Sequence, residues 1–291
     1  MKKINIFCFG FGQVAKNFIK KINTKNININ LTVTSRENTE KKIFAGIKYD
    51  SFQFSENNFD KNLIKNLESS NYILVSIAPV SGKDIVIKNF QNIFEKKKFK
   101  WLTYLSATSV YGDHNGEWVD EKSKTNPTSV AGIQRLKAEK SWMELAENKN
   151  LPLQIFRLSG IYSNENNVLK RLKAGDAKII RKQNQFFSRI NVEDIAEILF
   201  KSLEQFKDKE IYNISDDKPA SSEEVILYGS KLLSIKPPAI VKLESIESEM
   251  TKIFYKDSKK VNNKKMKENF NYKLKYPTYV EGLNYIFNNI I

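Results

Sequence analysis

Cysteine and histidine are nearly absent from this chain of 291 residues, which has one of each. A lone Cys8 has no internal disulfide partner, which excludes a disulfide scaffold and marks Cys8 as a small core residue in a reducing compartment. A lone His114, with no second histidine or cysteine nearby, lacks the usual zinc ligand sets, so no metal site is expected. No apolar run approaches the ~20 residues that a membrane-spanning helix needs, so no membrane span is expected. The opening Met1-Lys2-Lys3 followed by apolar residues has the outline of a secretory leader. Its apolar run stops at Phe9 in a glycine loop without a small-residue cleavage site, so that reading is rejected and a cytoplasmic protein is expected.

Arginine is scarce as well. Only Arg36, Arg135, Arg157, Arg171, Arg181 and Arg189 stand among the 48 basic residues that give a net charge of +15. Such a charge points to nucleic acid, a membrane surface or an anionic substrate. The lysines, however, are spread along the chain beside abundant Asn, Ile and Phe, the profile of A- and T-rich coding. Nucleic-acid binding is therefore a minority reading, and the few arginines are the more informative cations. A hydrophobic fraction of 41% is enough for a folded core. The length allows one large domain or two modest ones.

What is present begins at once. Lys3 to Phe9 is a short strand-forming run, and it breaks into Gly10-Phe11-Gly12-Gln13-Val14-Ala15, the pattern G-x-G-x-x-A. Val14, Phe18, Ile19 and Ile22 then fall on one helical face, with Lys16, Lys20 and Lys21 left for solvent. Strand, glycine turn and helix in that order predict a dinucleotide-binding turn. Gly10 permits a tight turn, Gly12 lets backbone approach a pyrophosphate, and Ala15 lets the helix pack on the strand. The helix N-terminus then faces the phosphates, so Gly10, Phe11, Gly12, Gln13 and Val14 are candidate cofactor contacts.

Ile27 to Thr34 alternates as a strand and ends in Ser35-Arg36, where a βαβ unit meets the adenosine ribose. An acid there would accept from a free 2′-hydroxyl. Here a hydroxyl and an arginine are offered instead, so Ser35 and Arg36 favour NADP, with NAD as the alternative. Gly46 to Phe54 reads as a third strand. Asn71 to Ile77 reads as a central parallel strand that stops at Ala78-Pro79-Val80-Ser81-Gly82. A doubly wound sheet places its ligand at such a strand end, which adds Ser76, Ala78 and Pro79 to the cofactor contacts. A helix over 83–97 and a strand over 100–105 follow.

The stretch Ser106-Ala107-Thr108-Ser109-Val110-Tyr111-Gly112-Asp113, then Glu121, Asn126-Pro127-Thr128-Ser129 and a helix through Arg135 to Glu139, carries a family likeness. It resembles the extended short-chain dehydrogenase/reductase family, the NAD(P)-dependent epimerases and dehydratases. Phe156-Arg157-Leu158-Ser159-Gly160-Ile161-Tyr162 resembles that family's sixth strand and cofactor-contacting turn. Ser188-Arg189-Ile190-Asn191-Val192-Glu193-Asp194 resembles its R-I-x-V-x-D segment, and Tyr212-Asn213-Ile214 its return strand. The resemblance weakens from Lys218 onward.

It implies a Ser or Thr, a Tyr and a Lys that exchange a proton while hydride passes to or from the cofactor. Those positions hold Ala107, Ala131 and Arg135 here. Arg135 can hydrogen-bond a ribose or phosphate, but its pKa is too high to share protons. Ser106 and Thr108 beside Ala107 are candidates to orient a carbonyl, and Tyr111 is a candidate proton donor, although it is more often structural in this segment. The candidate catalytic set is thus Ser106, Thr108, Tyr111 and Arg135, with Ser106 and Arg135 also counted as cofactor contacts. Tyr162 and Arg189 are the candidate substrate contacts. Arg171, Arg181 and Arg189 read equally as a pocket for an anionic substrate or as a basic helix face. His114, Glu117, Asp120 and Glu121 read as solvated loop residues, and Asp194 as a brace for the helix that starts there.

The expected fold is α/β, a Rossmann-like doubly wound parallel sheet with a small C-terminal mixed substrate region. Residues 1–163 form the NAD(P)-binding part, completed by about 188–216, while 164–187 and 217–291 form the substrate region. The expected activity is that of an oxidoreductase or epimerase/dehydratase on a small polar substrate, with a sugar- or nucleotide-like anion among the candidates. The alternative is a non-catalytic NADP-binding sensor or partner-binding subunit. The resemblance also implies a homodimer.

Overall fold

The computed structural model describes residues 3–290, so Met1 and Lys2 of the leader-like start lie outside the described residues. The chain begins with β1 (Ile4–Phe9), whose last four residues are completely buried. Helix α1 (Gln13–Thr24) follows and buries Val14, Ala15, Phe18, Ile19 and Ile22. That three- and four-residue spacing makes one apolar stripe for the sheet and leaves Lys16 and Lys20 exposed. Next come β2 (Ile29–Ser35), the hairpin of β3 (Glu40–Phe44) and β4 (Ile47–Gln53), α2 (Leu63–Ser69), β5 (Tyr72–Val75), α3 (Ile85–Lys96) and β6 (Trp101–Ala107).

A short 3-10 turn at Thr108–Tyr111 leads to β7 (Trp118–Val119) and the long α4 (Val130–Lys149). The chain continues with β8 (Leu153–Leu158), β9 (Gly160–Tyr162), α5 (Val168–Lys173), β10 (Ile179–Ile180), β11 (Arg189–Asn191), α6 (Val192–Lys201) and β12 (Glu210–Ile214). It ends with α7 (Ser222–Leu232), β13 (Ile240–Val241), α8 (Glu249–Lys256), β14 (Lys260–Val261), α9 (Lys264–Phe270) and α10 (Tyr279–Ile290).

The main sheet has eight strands in the order β12-β8-β6-β5-β1-β2-β4-β3. The expected α/β, Rossmann-like doubly wound architecture is the one found. Strand β1 is paired in parallel with β2 on one side and β5 on the other. The chain leaves β1 toward β2 and later returns to the opposite side at β5, so the order reverses at β1. Ligand crevices of doubly wound sheets lie at the carboxyl ends of the strands beside such a reversal. One edge departs from a purely parallel sheet. Strand β3 runs antiparallel to β4 through a turn at Ala45 and Gly46, both at positive φ (49° and 79°). It went unread because Glu40-Lys41-Lys42 is charged, as suits a solvent-facing edge strand.

The chain divides into two compact units. The first comprises Met1–Ala107, Gln134–Arg157 and Ile195–Tyr212, the second Thr108–Ile133, Leu158–Asp194 and Asn213–Ile291. In the first, Phe7, Phe9, Phe54, Phe90 and Trp142 belong to one buried cluster. Phe18 and Trp101 stack at 5.8 Å elsewhere in the same unit. Asp84 caps α3 by accepting from the amides of Val86 and Ile87, and its second oxygen takes the Trp142 indole at 3.0 Å. In the second unit, Tyr162, Leu169, Ala220, Val225, Tyr279, Leu283 and Ile286 form the apolar centre. Ser221 caps α7 by accepting from the amide of Glu224 at 3.0 Å.

The first unit also buries an ion pair. Arg157 of β8 reaches Glu139 of α4 through Nη2 at 2.7 Å and through Nε to both carboxylate oxygens at 3.1 and 3.2 Å. The two side chains are only 5% and 3% exposed. Removing one partner strands the other charge without water, a loss of about 3–5 kcal/mol. Arg157→Met should therefore lower unfolding free energy by about that amount in urea melts, whereas the double change Arg157→Met/Glu139→Leu should recover most of it. Equal losses in the single and double variants would remove this account of the pair.

Candidate functional site

The first unit places the glycine turn at the carboxyl end of β1. Gly10 has φ +85°, and a Cβ there would stand 2.7 Å from Ile77 Cγ2 and 2.8 Å from Ser76 Oγ. Only glycine satisfies both demands. The turn is fastened from both neighbouring strands. The Gly10 amide donates to Thr34 Oγ1 at 2.9 Å, and Ser76 Oγ donates to the Phe9 carbonyl at 2.9 Å. Gly12 precedes α1 with extended backbone and no side-chain cap, and the first turn of α1 holds no acid. A Cβ built on Gly12 would meet nothing within 4 Å, so its outer face is open. The result is a helix N-terminus whose positive dipole end has neither a capping oxygen nor a carboxylate to offset it, at an exposed backbone. Gln13 beside it is exposed, and Val14 is buried beneath. The Phe11 ring packs against Phe44 at 5.3 Å and Tyr49 at 5.2 Å, which fixes the outer wall of the turn.

At the end of β2, Ser35 Oγ accepts from the Glu37 amide at 3.2 Å, and Arg36 is exposed. Arg36 enters no ion pair among the described residues. Glu37 is held by the Lys42 ammonium at 2.7 Å, which pulls its carboxyl below the usual range. The acid next to Arg36 in sequence is thus already paired. Beyond β5, Ser76 is tied to the glycine turn, Ala78 is exposed and Pro79 is half-buried.

Two of the proposed chemical groups belong to this unit. Ser106 is 3% exposed, and its hydroxyl has no partner among the described residues. Arg135, one helical turn beyond Ala131 on α4, donates from Nη1 to the Leu105 carbonyl at 2.6 Å. Its guanidinium is therefore pinned to the end of β6 rather than free for solvent.

The second unit contains a cavity of about 870 Å³. Thr108, Ser109, Tyr162, Arg171, Arg189 and Lys259 are among its lining residues. Arg189 donates from Nη1 to the carbonyls of Phe187 and Ala220 at 2.8 and 2.9 Å. Burial lowers its pKa, with Asp216 opposing that shift. Asp216 is itself pushed well above the ordinary carboxylate range by burial. The Tyr162 hydroxyl is packed against α10, where a Cβ on Gly282 would lie 2.0 Å from it. Burial and the nearby Asp216 raise that phenol, so Tyr162 offers the cavity its ring rather than an acidic proton. Arg181 is no part of the cavity lining. It is exposed and pairs with Glu223, which settles its place as a surface ion pair.

The sequence profile of the NAD dependent epimerase/dehydratase family matches residues 61–215, just over half of the chain. The chain belongs to this family. No curated protein matches it. A conserved protein of unknown function from Silicibacter pomeroyi DSS shares 30% identity at a TM-score of 0.84, with 98% of each chain covered. The dTDP-glucose 4,6-dehydratase of Bacillus anthracis str. Ames, solved with NAD, is 17% identical at a TM-score of 0.77, covering 98% of this chain and 96% of that one. UDP-glucuronic acid 4-epimerase from Bacillus cereus, solved with UDP-glucuronic acid and NAD, is 15% identical at a TM-score of 0.79, covering 99% of both. At such identities the last two show a shared fold.

Within this epimerase/dehydratase chain, the candidates fall into two sets. The turn residues 10–14 with Ser35, Arg36, Ser76, Ala78, Pro79, Ser106 and Arg135 belong to the first unit. Thr108, Tyr111, Tyr162 and Arg189 belong to the second, where Thr108, Tyr162 and Arg189 line one cavity and Tyr111 does not. Tyr111 is fully buried and donates to Asn213 Oδ1 at 2.7 Å, a structural placement away from the cavity lining. Glu121 is likewise no free loop acid. It is partly buried, accepts from the Asn213 amide at 2.7 Å, and is raised by burial. Asp194 braces its helix by accepting from the Tyr272 hydroxyl and the amides of Lys275 and Tyr276. Among the described residues, no group of three or more His, Cys, Asp or Glu is placed to hold a metal ion.

Ser109 and Lys259 are among the cavity-lining residues that the sequence reading did not name as candidates. Ser109 lies within the family-like segment and carried a weak signal; Lys259 lies in a stretch without any motif. The Tyr111 assignment is testable. Tyr111→Phe leaves the Asn213 oxygen without this donor and should cost about 1–3 kcal/mol in denaturant melts. Dinucleotide affinity should be unchanged, and a large change in it would contradict the structural role.

Proposed function

We propose that this chain is a nicotinamide-dinucleotide-dependent oxidoreductase or epimerase/dehydratase that prefers NADP and acts on a small polar, anionic substrate of the sugar-nucleotide kind. The observation that carries the proposal is the open backbone at Gly12 before an uncapped helix N-terminus, with Arg36 exposed at the end of β2. The residues present fit such a cofactor. Amides of the Gly10–Val14 turn would hold the pyrophosphate, with Ser35 and Arg36 on the ribose 2′-phosphate. Ser76, Ala78, Pro79, Ser106 and Arg135 complete the proposed contacts. When bound, the nicotinamide supplies a reversible hydride acceptor.

For the substrate, Arg189 is the anchor. Two carbonyls hold one end of its guanidinium, which leaves further N–H donors for a phosphate or carboxylate in the cavity. The Tyr162 ring gives an apolar wall. Solved structures of similar fold that bind UDP-glucuronic acid support the substrate class. Ala107 and Ala131 occupy the positions where the family resemblance expects the hydroxyl and phenol of proton transfer, so the usual set is replaced. This replacement supports a second reading, a non-catalytic NADP-binding sensor or partner-binding subunit. Turnover separates the two. A homodimer and a cytoplasmic location belong to the same proposal and rest on the family resemblance and composition.

The test is calorimetric titration with NADPH, NADP, NADH and NAD, with Arg36→Ala alongside. The phosphorylated pair should bind more tightly, and Arg36→Ala should weaken it by about 10- to 100-fold, the value of a charge-assisted hydrogen bond of about 1.5–3 kcal/mol, without affecting NADH. Tighter binding of NADH than NADPH would overturn the NADP preference. Absence of binding by all four would overturn the cofactor reading altogether.

A further inference from the structure

If the family's phenol is replaced by Ala131, some other group in this chain has to handle the substrate proton. We propose that Lys259 is that group, taking the proton of a substrate hydroxyl bound in the second unit's cavity. The inference rests on the functional reading above and names a residue that reading does not contain.

Position comes first. Lys259 lines the cavity, as do Thr108 and Ser109. Its backbone neighbours are fastened on every side. The amides of His114 and Gly116 both donate to the Ser258 carbonyl at 3.0 Å, and the Phe186 amide donates to Ser258 Oγ at 3.0 Å. The Ser258 amide donates to Asp113 Oδ1 at 2.7 Å, and the Val261 amide to Ser188 Oγ at 3.0 Å. Strand β14 continues from it in parallel with β7. A lysine on such a segment has its Cα fixed, so only its own stem limits where the amine stands.

The amine is fixed too. The Lys259 side chain is 12% exposed, and Nζ donates to the Gly112 carbonyl at 2.8 Å. Asp257 Oδ2 stands 3.9 Å away, and the other oxygen of that carboxylate is taken by Thr128 Oγ1 at 2.6 Å. The charged groups acting on Lys259 are Asp257 and Asp113. Burial disfavours the ammonium more than these two acids favour it, so its pKa lies below that of an ordinary lysine.

Other titratable groups of the cavity are less suited. The Tyr279 hydroxyl donates to Glu224 at 2.7 Å, the Tyr255 hydroxyl points to the Ile180 carbonyl at 3.5 Å, and the Tyr162 hydroxyl is packed against Gly282. All three phenols are raised, opposite to the shift a proton-exchanging tyrosine needs. Arg189 has Nη1 committed to the Phe187 and Ala220 carbonyls, and Arg171 is exposed. Asp176, Lys178 and Glu247 are exposed to solvent rather than held in place. Lys259 combines burial, a fixed amine and a proton affinity moved toward the working range.

The chemistry balances. Lys259 Nζ, when unprotonated, would accept the hydroxyl proton of a substrate alcohol as its carbon–oxygen bond becomes a carbonyl; a bound oxidised nicotinamide would supply the acceptor for the C–H hydride. The Gly112 carbonyl, accepting one N–H, orients the lone pair throughout. In reverse, the ammonium returns the proton.

The first test is acetylation of the full chain by acetic anhydride across pH, read residue by residue by mass spectrometry. Lys259 should react with a midpoint below that of exposed Lys256, and Asp257→Asn should move it lower still by removing an opposing charge. A midpoint shared with Lys256, or no reaction at any pH, overturns the proposal. The second test follows NADP reduction by UDP-glucose with Lys259→Met and Lys259→Arg. Both should lose at least 100-fold while binding NADPH like the parent chain. A wild-type rate in Lys259→Arg, which keeps the charge but cannot release the proton, overturns the assignment. Failure of NADPH binding in the parent chain sinks the cofactor reading instead, and acetylation reports on Lys259 independently of that outcome.

Discussion

The close approach of Gly10 to Ile77 and Ser76 governs the first unit. β1 is paired on both sides and buried along its last four residues, so it can end only by turning sharply at the sheet's carboxyl edge. The turn must pass within van der Waals distance of the strand-end loop after β5, which only a residue without Cβ at positive φ permits. Once that approach is made, α1 has to start within three residues, its first amides directed over the edge. The placement of an anion-attracting helix end is thus a consequence of strand pairing and steric exclusion, and no charged side chain is needed to create it.

Much of this was legible in the sequence because it is local. The apolar run of β1, the G-x-G-x-x-A spacing and the helical periodicity of Val14, Phe18, Ile19 and Ile22 lie within twenty-odd residues, and the near-continuous apolar run before Ser76 identifies a central strand. The edge strand β3 was illegible because its face is solvent and its residues are charged. The pairing of Arg157 with Glu139 was illegible for another reason. Both side chains belong to segments that read as ordinary strand and helix, and only the packing of α4 on β8 shows that the two charges are buried together.

The candidate chemistry shows the same division. Ala107, Ala131 and Arg135 could be counted off from motif spacing, and the structure adds what spacing lacks: the Arg135 guanidinium is committed to a backbone carbonyl. Tyr111 is where local pattern and tertiary context part. A tyrosine after a strand end is chemically suggestive, yet Asn213, a hundred residues on, accepts its hydroxyl hydrogen bond and the core buries its ring. Lys259 is the converse case, a residue in an unremarkable lysine-rich stretch to which distant segments give meaning. In a chain with 42 lysines, composition alone does not mark a buried one such as Lys259.

The contact of Tyr162 with Gly282 couples the final helix to a wall of the second unit's cavity. Residue 282 sits inside the final helix, and no side chain larger than hydrogen fits there while the phenol occupies its present place. Because the same ring lines the cavity, a side chain at position 282 would displace part of the cavity wall as well as disturb the packing of the final helix.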